Sequence, residues 1–122
     1  MYYLSKHKAT WENAESWCEM NGMQLAKIES NEENQFLTNG LTLDYWIGIS
    51  NLKRGGLFKF QDGSYPKYFN WNTGSPNSRS DVEACVALQP NGSWIEATCN
   101  TENFFVCQRG KFMIDLRNCI FL

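Results

Sequence analysis

The chain has 122 residues, of which 43% are hydrophobic and 15% aromatic, and its formal net charge is −2. This length fits one domain with a hydrophobic core, and the aromatic content predicts a packed globule and not a disordered chain. The sequence contains no basic run and no stripe of Lys and Arg, which excludes a typical nucleic-acid-binding surface. No apolar stretch reaches the roughly 18 residues of a membrane span, so we expect no transmembrane helix.

The first part of the chain predicts two helices. Thr10 is a suitable N-cap for the first helix and Gly22 a suitable stop. The buried face of this helix is predicted to consist of residues at i, i+3, i+6 and i+7, namely Trp11, Ala14, Trp17 and Cys18. The segment 30-SNEE-33 is a capping box, which opens a second, short helix that runs to Asn39-Gly40.

The rest of the chain predicts short strands around one long loop. The strand candidates are 45-YWIGI-49, 57-LFKF-60, 85-CVAL-88, 93-SW-94 and 103-NFFVC-107. Residues 61–82 are rich in Gly, Pro, Asn and Ser, which predicts a long loop outside the core, and such a loop is usually functional or disordered. The order of elements predicts an α+β fold with two helices, short antiparallel sheets and this loop.

The five cysteines indicate disulfide bonds. They contain no CxxC spacing, and the single histidine, His7, excludes a Cys/His zinc cluster. Disulfides predict a secreted or extracellular protein. The segment 1-MYYLSKHKATW-11 has no apolar core of a signal peptide, so we expect that a leader was removed or precedes residue 1. If Cys119 is the odd cysteine, the residues alone leave three pairings for Cys18, Cys85, Cys99 and Cys107.

The motifs of the chain, taken in order, resemble the C-type lectin-like domain in its short form. They are the helix with Cys18, YWIGI at 45–49, WNTGSPN at 71–77, EAC at 83–85, GSW at 92–94, Cys99 and FFVC at 104–107. The resemblance spans residues 2–108 and implies the pairs Cys18–Cys107 and Cys85–Cys99. It also implies a domain at 1–109 and a C-terminal extension at 110–122, because the family's domain ends within a residue or two of its last cysteine.

The resemblance also locates a calcium and sugar site. In the family, calcium is held by the first and third residues of a Glu-Pro-Asn or Gln-Pro-Asp triplet, by a glutamate two residues before the next cysteine, and by an Asn-Asp pair after a tryptophan. The matching positions here are Ser75, Asn77, Glu83, Ile95 and Glu96. Calcium takes six to eight oxygen ligands, and Ser75 and Ile95 remove two side chains from the set. Asn77, Glu83 and Glu96 are therefore expected to hold Ca²⁺ weakly, as a vestigial site.

Two further expectations concern the same loop. Without a strongly bound metal, the Ser75–Pro76 peptide is expected to return to the trans form. Arg79 is the cation of the loop, and an ion pair between Arg79 and the nearby carboxylates would replace the missing ion. The alternative for Arg79 is a solvated polar loop with no fixed pairing. Ligand contact is thus predicted for Ser75, Asn77, Arg79, Glu83 and Glu96.

Other positions of the chain are weighed against ordinary structural roles. The family's auxiliary calcium positions fall on Asn51, Gly55 and Ala84, where no metal is expected. The triplet 89-QPN-91 is predicted to be a turn, and 91-NGS-93 is an N-glycosylation sequon that matters if the chain enters the secretory pathway. His7 is expected on the surface. We expect three tryptophans in the core, namely Trp46, Trp71 and Trp94. Three aromatic residues of the long loop are expected either to contact a ligand or to pack under the loop, namely Tyr65, Tyr68 and Phe69.

Two functions follow from the resemblance. The first is an extracellular carbohydrate-recognition domain, a lectin that binds a glycan or glycoprotein with weak or lost calcium dependence, as in innate recognition of microbial or self surfaces. The second is a calcium-independent module that binds a protein ligand through the same face. An enzyme is not expected, because a lone histidine completes no Ser/His/Asp or Cys/His set.

The segment 110–122 is apolar and carries Cys119. It is predicted to pack on the domain or on a partner chain, with Cys119 unpaired or joined to a second chain as a disulfide-linked dimer. The alternative is that this segment does not belong to the native protein.

Overall fold

The computed structural model describes residues 1–52, 57–76 and 83–109. In these ranges no helix is long and apolar enough to cross a membrane. The two helices are α1 (Trp11–Met20) and α2 (Asn31–Thr38). The strands are β1 (Tyr2–Leu4), β2 (Gln24–Leu25), β3 (Tyr45–Ser50), β4 (Lys59–Phe60), β5 (Cys85–Leu88), β6 (Trp94–Ala97) and β7 (Phe104–Gln108).

Helix α1 begins at the predicted cap and docks on the sheet. The Thr10 side chain accepts a hydrogen bond from the Asn13 backbone N–H at 3.3 Å, which satisfies one of the free donors of the first turn. Trp11, Ala14 and Cys18 are buried, as the periodicity predicts, whereas Trp17 is only half-buried against the core. The Trp11 indole N–H also donates to the carbonyl of Ile47 in β3 at 2.8 Å. Helix α1 is therefore fixed to the sheet by a polar contact as well as by apolar packing.

Helix α2 begins with the predicted capping box. The Ser30 hydroxyl accepts a hydrogen bond from the Glu33 N–H at 3.1 Å, and the Glu33 carboxylate accepts one from the Glu29 N–H at 2.9 Å. The first bond satisfies a free donor of the first helical turn, and the second satisfies a backbone donor just ahead of the cap. The helix buries Asn34 and Leu37 and leaves Phe36 exposed.

The sheet is built around β7, and the strand order is β1-β7-β3-β5-β6. Strand β2 also pairs with β7, and β4 pairs with β3. The pairs between these seven strands are antiparallel except that of β3 and β7, which run parallel with Tyr45 opposite Phe104. The sheet is thus mixed, where the sequence predicted antiparallel pairing alone. A parallel pair needs a long connection, and here the connection includes β4, β5 and β6.

The core has two parts, one on each face of the sheet. Along β7 the side chains alternate, so that Phe105 and Cys107 pack in a first cluster with α1, whereas Val106 packs in a second cluster with Leu37 of α2. The first cluster also contains Trp46, and the second contains Trp94; both are fully buried, as predicted. Trp71 is half-buried against the second cluster.

Two disulfides link distant parts of the chain. Cys18 of α1 is bonded to Cys107 of β7 across 89 residues, and Cys85 of β5 to Cys99 across 14 residues. These are the pairs that the resemblance implies. In the chain-entropy model such loops contribute roughly 4 to 5 kcal/mol and about 3 kcal/mol, respectively. Cys119 and the predicted extension 110–122 lie outside the described residues.

Candidate functional site

The candidate site is formed by the long loop, and β6 fixes the position of this loop. The Trp94 N–H donates to the carbonyl of Asn70, and the Asn72 N–H donates to the carbonyl of Trp94, both at 2.8 Å. Trp71 lies beside Trp94 at this junction, with ring centroids 6.0 Å apart. Residues 70–72 therefore extend the sheet by one bridge and place the loop next to Ile95 and Glu96.

A turn follows this junction and leads into the Ser-Pro-Asn triplet. The Ser75 N–H donates to the Asn72 carbonyl at 2.9 Å, and Gly74 has a φ of +89°, a conformation that favours glycine. The Ser75–Pro76 peptide is cis, so the trans form expected from the sequence is wrong. Asn77, Arg79 and the proposed ion pair of Arg79 lie outside the described residues.

The other predicted ligands that the structure describes lie on β6 and just before β5. Ile95 lies opposite Ala87 in the β5–β6 pair and packs against the first core cluster. Glu96 is half-buried opposite Val86. Glu83 is exposed and lines a cleft of about 430 Å³ together with Glu12 and Glu15 of α1.

The positions of the auxiliary calcium site serve a structural contact. Asn51 is buried, and its side-chain oxygen accepts a hydrogen bond from the Ala84 N–H at 2.6 Å. The Asn51 N–H in turn donates to the Ala84 carbonyl at 3.0 Å. These bonds join the end of β3 to the residue before β5, and Gly55 lies outside the described residues.

An exposed, mainly aromatic surface lies on the long loop and the segment before β4. We call it the aromatic surface and define it by Leu57, Tyr65 and Phe69, which are 55%, 56% and 43% exposed. They line an open depression of about 370 Å³ together with Trp71 and Pro76. Phe69 stacks on Trp71 at 6.0 Å between ring centroids. The sequence predicted either ligand contact or packing for the loop aromatics, and Tyr65 and Phe69 keep much of their area in solvent.

Tyr68 takes the other role and packs under the loop. Its ring meets Trp94 edge-on at 5.6 Å, and its hydroxyl donates to the Asn31 side chain at 3.2 Å. Burial raises the pKa of Tyr68, and the negative charge of Glu32 raises it further. Tyr68 thus connects the loop to α2 and is not part of the aromatic surface.

A buried asparagine anchors the loop from the opposite side. Asn34 of α2 donates to the Gly92 carbonyl at 2.8 Å and accepts a hydrogen bond from the Trp94 indole at 2.7 Å. The Asn70 side chain also donates to the Gly92 carbonyl, at 2.6 Å. The sequence analysis missed this residue. The available signal was a polar side chain three positions before Leu37, on the face of α2 that is buried.

Comparison with known proteins identifies the family of this domain. The sequence profile of the family described as "Lectin C-type domain" matches residues 7–109. The chain belongs to the C-type lectin domain family. It is 39% identical over 110 residues to the human low affinity immunoglobulin epsilon Fc receptor. The alignment covers 88% of this chain and 34% of the receptor. The chain thus spans about a third of the length of this curated relative.

Solved C-type lectin structures have the same fold as this chain. The carbohydrate-recognition domain of mouse scavenger receptor C-type lectin is 32% identical with a TM-score of 0.80, over 89% of this chain and 88% of that one. The cow carbohydrate-recognition domain of CD23, solved in the presence of a GlcNAc2Man3 oligosaccharide, is 32% identical with a TM-score of 0.79, over 90% and 88%. A calcium-independent type II antifreeze protein is 27% identical with a TM-score of 0.78, over 87% and 82%.

The described part of this C-type lectin domain fits calcium poorly. In residues 1–52, 57–76 and 83–109, no three His, Cys, Asp or Glu side chains form a group able to hold a metal ion. Calcium takes six to eight oxygens. Ile95 offers none and faces the core cluster, and Ser75 offers a short hydroxyl in place of a longer carboxylate or amide.

Proposed function

We propose that this C-type lectin domain is an extracellular binding module, not an enzyme, that recognises glycans with weak or no help from calcium. We assign the contacts to Ser75, Asn77 and Arg79 of the long loop, to Glu83 just before β5, and to Glu96 of β6. Its disulfides are of a kind that persists in oxidising compartments outside the cytosol. The chain is similar to carbohydrate-recognition domains and, at a comparable TM-score, to a calcium-independent protein.

The observation that carries the weak-calcium proposal is the position of Ile95. In the resemblance this position holds an asparagine that binds both the metal and a sugar hydroxyl. Here an apolar side chain packs against the first core cluster instead. Glu96 follows with a side chain one methylene longer than aspartate, which displaces its carboxylate. A site with these changes is expected to bind calcium with a Kd in the range of extracellular modules, about 10⁻⁴–10⁻³ M, or more weakly.

The direct test restores the missing oxygens. We expect the double variant Ser75→Glu with Ile95→Asn to bind Ca²⁺ more tightly than the wild type in a titration calorimeter. A matched control, Ser75→Ala with Ile95→Val, changes the same positions without adding a ligand and should leave calcium affinity at the wild-type level. Micromolar calcium binding by the unmodified domain would contradict the proposal.

Glycan binding is tested separately from calcium. The wild-type domain is applied to a glycan array with Ca²⁺ and with a chelator. We expect signals on a limited set of glycans that change little when calcium is removed. A signal that vanishes with chelator would show that the predicted loss of calcium dependence is wrong, and an empty array under both conditions would argue against a glycan ligand.

A protein ligand is the second candidate, and the aromatic surface favours it. Leu57, Tyr65 and Phe69 expose a contiguous apolar area, and exposed aromatic clusters are typical of protein interaction sites. The similar human protein is named as a receptor for immunoglobulin epsilon Fc. The name of this relative thus refers to a protein ligand. Glycans and proteins would bind the same face, so the test removes glycans and proteins from the target surface one at a time.

The two candidates are distinguished on intact cells. Binding of the labelled domain is measured before and after enzymatic removal of cell-surface glycans, and again after mild surface proteolysis. Loss of binding after glycan removal supports the lectin function. Binding that survives glycan removal but not proteolysis, and that weakens in Leu57→Ser with Phe69→Ser, supports the protein ligand. The control Leu43→Ser removes an equally exposed apolar residue elsewhere, since Leu43 is 50% exposed.

A further inference from the structure

The turn between β5 and β6 holds its shape through several hydrogen bonds. The Gly92 N–H donates to the Gln89 carbonyl and the Gln89 N–H to the Ser93 carbonyl, both at 2.9 Å, so 89-QPN-91 is a turn, as predicted. Gly92 is buried with a φ of +91°, and its carbonyl accepts the bonds from Asn34 and Asn70 described above. The turn is therefore attached to both α2 and the long loop.

Asn91 presents its amide nitrogen to solvent from this fixed turn. Its side-chain oxygen accepts hydrogen bonds from the Ser93 N–H at 3.0 Å and the Ser93 hydroxyl at 2.6 Å. The residue is exposed, and among the described residues all its side-chain bonds use the oxygen. A group added to the nitrogen would leave these bonds intact. The triplet 91-NGS-93 is also the only Asn-X-Ser/Thr sequon in the 122 residues.

A wide depression lies next to Asn91. It has a volume of about 640 Å³, opens to solvent, and is lined by the end of α2, including Gln35 and Phe36, and by Pro90 and Asn91. Phe36 is 71% exposed, and its ring contacts Tyr2 with centroids 6.0 Å apart. The Phe36 ring therefore exposes apolar surface to water. A group that lay over the ring would bury this surface, which is favourable.

We propose that Asn91 carries an N-linked glycan and that the first sugars of this glycan lie in the depression over Phe36. In the transfer, the Asn91 amide nitrogen bonds to the anomeric carbon of a lipid-linked oligosaccharide pyrophosphate. The bond from that carbon to the pyrophosphate oxygen breaks, the amide loses one proton, and the lipid pyrophosphate leaves. Transfer takes place on the unfolded chain, so the fold decides only whether the glycan is tolerated, and this exposed turn tolerates it.

Occupancy is tested on the whole chain, secreted by a eukaryotic host behind an added leader. Intact mass is measured before and after peptide N-glycosidase treatment in heavy-oxygen water, so that aspartate formed by the enzyme at position 91 is labelled. Spontaneous deamidation of Asn91-Gly92 gives unlabelled aspartate and is thereby separated. We expect one glycan in the wild type and in Ser93→Thr, and none in Asn91→Gln. An unmodified wild-type chain from this host would overturn the proposal.

Contact with Phe36 is tested by thermal unfolding. The secreted chain is compared with the same chain refolded from bacteria, which differs only in the glycan. We expect the glycan to raise the Tm of the wild type, and the rise to disappear in Phe36→Ala. The control Met20→Ala removes an apolar residue that is 84% exposed on α1, and it should keep the full rise. An equal rise in Phe36→Ala and wild type would show that the sugars do not cover the ring.

Discussion

Single polar side chains determine where the loops of this domain attach. Asn34 is 2% exposed, and burial of an amide is tolerated only when its hydrogen bonds are made. Its donor and its acceptor are both used, by the Gly92 carbonyl and the Trp94 indole. Because Trp94 is fully buried, loss of Asn34 would leave its indole N–H without a partner. One residue thus fixes α2, the β5–β6 turn and the base of the long loop.

Asp62 is the residue whose charge gives a prediction for acid stability. Its side chain accepts bonds from the Ser64 hydroxyl at 2.6 Å and N–H at 2.9 Å, and it pairs with Lys27 at 2.9 Å. The Ser64 hydroxyl, followed by the Lys27 ammonium, lowers the pKa of Asp62 from 3.8 to about 2. A folded-state pKa below the unfolded value stabilises the fold above pH 3.8, and this contribution is lost as the pH falls towards 2.

The variant Asp62→Asn keeps the oxygen that caps the turn and removes only the charge. We expect a small loss of stability at neutral pH, about 0–1 kcal/mol for an exposed ion pair. The difference from wild type should shrink between pH 4 and pH 2, because the wild-type carboxylate becomes protonated there. Urea unfolding across this pH range measures it. Glu102→Gln serves as the control for a neutralised exposed carboxylate, and a difference that grows in acid would contradict the prediction.

At the scale of elements, local patterns predicted α1, α2 and β5 closely. Their signals are carried by neighbouring residues, namely a cap with helical periodicity for each helix and a continuous apolar run for 85–88. Strands β1 and β2 were missed because each is two or three residues long and exists through pairing with β7. Their partners are about a hundred and about eighty residues away, and no local pattern contains that information.

The site was predictable to a different degree. The resemblance to the family implied the triplet and the position of Ile95, and the structure adds that Ile95 packs against the core. The cis form of Ser75–Pro76 and the position of Glu83 in the same cleft as Glu12 were not predicted. Such features depend on tertiary packing, which the sequence motifs do not specify.

Strand β3 passes so close to the backbone of Leu25 and Ala26 that Gly48 has no room for a side chain. A Cβ at Gly48 would come within 2.8 Å of the Leu25 carbonyl oxygen and 2.9 Å of the Ala26 carbonyl oxygen. The Gly48 N–H already donates to the Ala26 carbonyl at 2.8 Å. Gly48→Ala is therefore expected to cost about 1–3 kcal/mol or more, because backbone segments must move apart.

The measurement is chemical denaturation of Gly48→Ala with Gly40→Ala beside it. Gly40 has a φ of +89° and open space around its Cβ position, so its variant reports backbone strain without a clash. We expect Gly48→Ala to lose more stability than Gly40→Ala. The close approach of β3 to residues 25 and 26 would be refuted if Gly48→Ala were as stable as the wild type.

For the molecule as a whole, the two described disulfides close loops of very different length. The Cys18–Cys107 bond joins the first helix to the last strand, whereas Cys85–Cys99 spans the β5–β6 hairpin alone. Since the longer loop removes more freedom from the unfolded chain, the two bonds differ in their effect on overall stability. The expected difference in stabilisation comes from the lengths of the two closed loops and does not depend on the packing around either disulfide.

Removal of each bond should reveal this order. We expect Cys18→Ala with Cys107→Ala to lose roughly 4 to 5 kcal/mol and Cys85→Ala with Cys99→Ala to lose about 3 kcal/mol in the free energy of unfolding. Cys119→Ser is the matched control and should leave that free energy unchanged, because we predict that Cys119 is unpaired or bonded to a second chain. Peptide mapping without reduction checks the pairing directly. Cys18 joined to Cys85 or Cys99 would contradict the order of stabilities. Cys119 joined to one of the other four cysteines would contradict the pairing and the prediction that Cys119 is unpaired or bonded to a second chain.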